Sequence, residues 1–409
     1  MTSNRYFPTS LALYINYIIH GMGVLIISQN QNYLMEQWHT NLAGVLSVVG
    51  FIGIGRLIAI IISGPLSDKF GRKPFVYLGM LTYVIYFLGL VFSHSVLMAS
   101  IFALIAGLSN SFLDSGTYPA LMEAWPKQAG TANVLIKAFV QIGQFVLPLL
   151  IGLLTTTGLW FGWSFMVAAI VLVINMLIMW RMPFPDDDAR SQAEASGQSE
   201  EEAVVDNGIR YKQQPKLYLE GVAFVLYGFI SQATFYLIQQ SLNTYGQQAA
   251  GMSLNDANLL ITYYSVGALA CVAVTAVIAT KVKSTHLMLG YTFMSFLSAM
   301  GMAMFPVSAM LKIGAVLIGF FAAGGVMQLG LTIMGEFFPK GKGTVTSIFY
   351  TFGSLASWTI PNAIGWFMEN HGIHSVMWFE TVLAAIGFVI AIIVFIRYEQ
   401  VIDTSQREA

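Results

Sequence analysis

Twelve apolar stretches, each near the ~20 residues that a helix needs to cross a bilayer, follow one another along this 409-residue chain. They run at roughly 9–32, 42–64, 75–94, 97–121, 131–155 and 160–180, then at 217–240, 257–280, 285–306, 312–335, 344–368 and 375–396. Several are separated by so little chain that only antiparallel helical hairpins fit. Unpaired backbone in lipid excludes an open sheet, so every span is expected to be a helix. The composition agrees: 56% of residues are hydrophobic and only 10% charged, with a mean hydropathy of +0.69, against about 25% charged in soluble domains.

This excludes soluble enzymes. The 19 Lys and Arg against 20 Asp and Glu leave no basic excess for nucleic acid, and the single Cys271 permits no intrachain disulfide. The first span is too long for a signal h-region and lacks a small-residue cleavage site, so it is expected to be retained. With the N-terminus inside, sixteen of the nineteen cations, among them Arg5, Lys69, Arg72, Lys73, Lys216, Lys283 and Arg397, fall on the inner side. Lys312 alone falls outside, and Arg56 and Lys137 lie within spans. The bias predicts that both termini are cytoplasmic.

Residues 1–182 are expected to form one six-helix bundle and 217–409 another with a short tail. Between them, 183–216 carries Asp186-Asp187-Asp188 and Glu200-Glu201-Glu202 and too little apolar surface to fold, so it reads as a solvated cytoplasmic linker. The halves repeat. A shift of 213 lays Glu123, Pro126 and Lys127 on Glu336, Pro339 and Lys340, Gly130-Thr131 on Gly343-Thr344, Pro148 on Pro361 and Gly152 on Gly365.

Between the second and third spans the chain reads Gly64-Pro65-Leu66-Ser67-Asp68-Lys69-Phe70-Gly71-Arg72-Lys73. This resembles the signature of the major facilitator superfamily at every fixed position, and with the spans, repeat and linker the resemblance covers the whole chain. It implies an all-α membrane protein of twelve transmembrane helices in two pseudo-symmetric six-helix bundles, working by alternating access. It also implies that this loop latches the cytoplasmic side, with Gly64 and Gly71 allowing a tight turn and close helix approach and Asp68 pairing with a cation. Arg72 would then find Glu123, and Glu336 stands at the repeat-related place.

Within that family, drug-proton antiporters carry an arginine four residues before a glycine in the fourth helix and a Gly-Pro-x-x-Gly-Gly run in the fifth. Here Ala103 precedes Gly107 and the run 143–152 lacks the motif, so multidrug efflux is the rival to uptake of a small polar solute. Ala106-Gly107-Leu108, Leu113-Asp114 and Pro119 resemble, with a gap, the fourth helix of the fucose-proton symporter group, where a glutamate takes part in proton coupling. The first span lacks that group's aspartate.

A charge at the bilayer centre costs about 2.5–3.5 kcal/mol, so each one calls for a partner or a purpose. Three stand clearly inside spans. Counting ~1.5 Å per residue from the cytoplasmic ends puts Arg56 about 12 Å deep, Asp114 about 16 Å and Lys137 about 10 Å. A cluster of the three is therefore expected, with His20 at similar depth. Three readings stay open: Asp114 exchanges a proton, pulled toward the acid by desolvation and toward the carboxylate by its cations; the triad is a fixed structural link; or the excess positive charge of Arg56, Lys137 and His20 holds an anionic substrate.

Lys137, Gln141 and Gln144 share one helix face, and the 213 shift maps them onto Tyr350, Ser354 and Ser357, with Trp358 and Asn362 beside them. These stripes read as substrate lining, or as ordinary interhelical hydrogen bonding. Asn110 with Asp114, Tyr227 with Ser231, and Gln328 are further lining candidates, and Glu220 is expected at the interface. The sequence has no phosphate loop, metal-spaced His/Cys set or nucleophile elbow. A monomer using no cofactor, driven by an ion gradient and most simply by protons, is the expectation.

Overall fold

The computed structural model describes residues 4–125, 129–185, 212–213, 215–278, 282–323, 326–338 and 342–402. Lys127, Lys340 and the acidic runs at 186–188 and 200–202 lie outside the described residues. The chain divides into two units, Met1–Glu202 and Ala203–Ala409. The first holds α1 (Phe7–Gln29), α2 (Gln31–Gln37), α3 (Leu42–Phe70), α4 (Arg72–Val91), α5 (Val96–Ala124), α6 (Ala129–Thr156) and α7 (Trp163–Met179). In the second, a π-type turn at Leu217–Gly221 leads into α8 (Val222–Gln248). There follow α9 (Leu254–Ile278), α10 (Ser284–Met304), α11 (Ser308–Ile318), α12 (Val326–Phe337), α13 (Lys342–His371) and α14 (Ile373–Val401).

Among the described residues nine helices are long and apolar enough to cross a membrane; Trp163–Met179 and Ser308–Ala323 are apolar but shorter. Helix α7 has 17 residues, the helix Ser308–Ala323, whose last turn Gly319–Ala323 is π-type, stops at residues outside the described ones, and α13 spreads Ser, Thr, Asn and His along its 30 residues.

Helix ends follow local chemistry. The side chains of Asn41 and Ser95 accept from the amides of Gly44 and Met98 and start α3 and α5. Gly71 (φ 102°) ends α3 and opens α4, while Gly372 (φ 75°) separates α13 from α14; both adopt backbone that favours glycine.

The packing is reversed relative to a soluble protein. Leu177 is 71% exposed and Leu153 59%, whereas Asn16, Gln240 and Asn243 are fully buried. Apolar residues on the outside suit lipid, and polar ones inside find partners on neighbouring helices. Asn175 Nδ2 of α7, for example, donates to Asn16 Oδ1 of α1 at 2.7 Å and to the Ala12 carbonyl at 2.8 Å.

Candidate functional site

The site of the first unit is built where α3 and α5 run against each other. A Cβ on Gly107 would strike the Ile52 carbonyl and, at 2.5 Å, the Arg56 amide; one on Gly55 would strike the Leu104 carbonyl. Only the paired glycines let the two backbones come this close, and the approach sets the next turns face to face. Arg56 Nη2 reaches Asp114 Oδ2 at 3.2 Å, with the side chains 24% and 28% exposed.

The other carboxylate oxygen of Asp114 accepts from Tyr17 Oη of α1 at 2.7 Å. Asp114 thus joins three helices through two oxygens. A second chain of contacts runs beside it: His20 Nδ1 lies 2.6 Å from Tyr83 Oη, and that hydroxyl donates to Asn110 Oδ1. The His20 ring meets Tyr17 and Tyr83 edge-on, with centroids 5.6 and 5.9 Å apart. Lys137 of α6 is within electrostatic reach of both Arg56 and Asp114, yet among the described residues it makes no ion pair within 4.0 Å. The Lys137 side chain is half-buried.

Gln141 and Gln144, further along α6, are both buried, and Gln141 Oε1 has no hydrogen-bond partner among the described residues. Helix α6 presses on α1 closely enough that a Cβ on Gly143 would strike the Ile18 carbonyl.

At the end of α3, Arg72 pairs with Asp68, donates to Glu123 Oε1 at 3.3 Å and reaches Ser67 Oγ at 3.3 Å. Ser67 in turn donates to the Ser115 carbonyl of α5 at 2.9 Å. Gly64 departs from expectation. It sits inside α3 before Pro65, and a Cβ there would have nothing within 4 Å. The close approach falls instead at Gly116, where a Cβ would lie 2.8 Å from the Arg72 carbonyl.

In the second unit, Tyr227 and Ser231 of α8 line a small cavity with Thr234, Thr292 and Ser295. On α13, Ser357 accepts from Gln232 Nε2 at 3.2 Å, and Ser354 is buried with its hydroxyl unpartnered among the described residues. Tyr350 is half-buried. Trp358 and Asn362 stand on an exposed face, the Asn362 amide donating back to the Trp358 carbonyl at 2.8 Å. The Gln328 side chain lies outside what the structure describes. Glu336 accepts from Tyr398 Oη at 2.5 Å. Glu220, in the turn that leads into α8, is 2% exposed and pairs with Arg397 at 2.5 Å.

Sequence reasoning missed three groups. Tyr17 and Tyr83 look like ordinary aromatic residues of apolar spans, and only tertiary contact gives their hydroxyls a task. Glu380 had a visible signal, an acid seven residues into the last span, and adds a fourth ionisable group to the three counted there.

A family model, the Major Facilitator Superfamily, matches residues 13–357 and again 225–408. The chain belongs to the Major Facilitator Superfamily. The second match, confined to the C-terminal half, is consistent with the 213-residue repeat. The chain is 46% identical over 395 residues to the inner membrane transport protein YdiM of Escherichia coli (strain K12), covering 96% of this chain and 95% of that one. It is 36% identical over 393 residues to the uncharacterized MFS-type transporter YfkL of Bacillus subtilis (strain 168), covering 96% and 97%. Its fold is similar to the crystal structure of a D-xylose-proton symporter, with TM-score 0.71, 16% identity and coverage of 95% and 97%. This Major Facilitator Superfamily chain is a multi-pass secondary transporter, and not an enzyme.

Proposed function

We propose that this transporter moves a small polar organic solute, a sugar or an organic anion, by alternating access and proton-coupled symport across a bacterial inner membrane. Residues 1–182 and 217–409 act as its two halves, with 183–216 and both termini in the cytoplasm, and it works as a monomer. The observation that carries the coupling reading is the Asp114 carboxylate, set inside a helical bundle with one oxygen on Arg56 and the other on Tyr17.

A proton on Asp114 would cancel its charge and release the Arg56 guanidinium, so protonation and the α3–α5 link exclude each other. With Lys137 close by, release of Arg56 leaves two cations, with the His20 ring beside them, where an anionic or hydroxyl-rich solute would bind. Asn110, Gln141, Gln144, Tyr227, Tyr350, Ser354, Ser357, Trp358, Asn362 and Gln328 are proposed to contact solute. Gly64, Asp68, Gly71, Arg72, Glu123 and Glu336 are proposed to serve the cytoplasmic gate. The 46% relative's name, an inner membrane transport protein, supports the location.

The test begins with thermal stabilisation of purified protein by sugars, organic acids, amino acids and drugs. The stabilising solute is then followed in proteoliposomes. Asp114→Asn should retain solute exchange but lose accumulation driven by a pH gradient. Undiminished, still pH-driven accumulation by that variant would show that Asp114 does not couple.

A further inference from the structure

Glu380, on α14, is fully buried, and neither of its carboxyl oxygens has a hydrogen-bond partner among the described residues. No cation compensates it there. Arg397 is taken by Glu220 at the far end of the same helix, and His286 packs edge-on against Phe395 near that end, 5.0 Å between centroids. Of the helices packed against α14, namely α8, α10 and α13, α8 presents Tyr245, whose ring meets His374 of α14 at 6.0 Å. Helix α13 has Glu369 and His371, both at its exposed end. The group within electrostatic reach of Glu380 is Tyr264 of α9.

Tyr264 Oη accepts from Gln239 Nε2 at 3.2 Å, and among the described residues no acceptor takes its own proton. Glu380 also lies one turn before Ala384 and two turns before Gly387, on the same helix face. Both residues line the small cavity whose wall also holds Ser231, Thr234, Thr292 and Ser295; the first three hydroxyls donate to carbonyls of their own helices. The Ser295 hydroxyl has no partner among the described residues.

A carboxylate in apolar surroundings with neither hydrogen bond nor counter-ion is strongly disfavoured, whereas the neutral acid is tolerated. A small, mainly apolar cavity one turn away, with the unpartnered Ser295 hydroxyl in its wall, has room for about one water and so offers a route for a proton. We propose that Glu380 is a proton-binding site of the C-terminal unit, occupied at neutral pH and exchanging its proton with water through this cavity. The exchange moves one proton from the acid to water and back. The inference does not rest on Asp114, which lies in the other unit.

Infrared spectroscopy of the full-length protein in liposomes tests it. At pH 7 the unaltered protein should show the carbonyl stretch of a protonated carboxyl, shifting when H2O is replaced by D2O. Glu380→Gln should remove that band, Asp114→Asn should leave it, and Ser295→Ala should slow the D2O shift. Absence of the band from the unaltered protein, or its persistence in Glu380→Gln, would overturn the assignment. A Glu380 band that does not move in D2O would overturn the exchange and leave a locked acid. Because the unaltered protein is itself measured, a variant that fails to fold does not rescue the proposal.

Discussion

Asp114 divides its two oxygens between a cation and a phenol, Arg56 at 3.2 Å and Tyr17 at 2.7 Å, and that division ties α5 to both α3 and α1. Removing one charge of such a pair leaves the other in a poorly solvated place. Because both side chains retain about a quarter of their accessibility, the cost falls below that of a fully buried pair. Arg56→Leu should therefore lower stability by about 2 kcal/mol, and Asp114→Asn in the same chain should restore part of it, read as the melting temperature of the detergent-solubilised protein. A double variant no more stable than Arg56→Leu would mean that the two charges are not coupled. Depth counting along the spans brought Arg56, Asp114 and Lys137 to one level, and His20 with them. It could not show that Lys137 stands off without an ion pair, or that Tyr17 takes the second carboxylate oxygen, because those depend on helix rotation.

At the scale of elements, helix contacts rest on small residues and buried pairs that no single helix reveals. The Gly55–Gly107 approach admits no side chain, because the Cβ of either would run into a carbonyl of the opposing helix. Gly107→Val should overpack the α3–α5 contact at a cost of about 1–3 kcal/mol and weaken coupled transport by parting Arg56 from Asp114, measurable as a lower melting temperature together with reduced uptake. In the second unit, Glu220 ties the start of α8 to Arg397 of α14. Glu220→Ala should cost about 3 kcal/mol, at the lower end for a broken buried pair because the Arg397 side chain keeps 18% exposure. Equal melting temperatures for the variant and the parent would refute that. Within the 64–73 motif the turn falls at Gly71, whose φ of 102° ends α3. Gly64 itself has room for a Cβ, since a motif gives spacing but says nothing of which glycine meets a neighbour.

Across the whole molecule, the charge bias makes a prediction independent of any site. A fluorescent protein fused after residue 409 should fold and fluoresce, whereas alkaline phosphatase fused there should stay inactive, because both termini are proposed to be cytoplasmic; active phosphatase would reverse the topology. Helical class and family follow from hydropathy, the 64–73 motif and the 213-residue repeat, which are one-dimensional properties that the bilayer enforces on any such chain. Tertiary structure alone decided which polar groups meet: that Tyr83 bridges His20 and Asn110, that Ser357 is buried against Gln232 while Trp358 stays exposed, and that Glu380 is buried without a hydrogen-bond partner among the described residues. The physical reason is that lipid sets the length and orientation of a helix, whereas its rotation and depth against its neighbours are set by close packing among residues far apart in the chain.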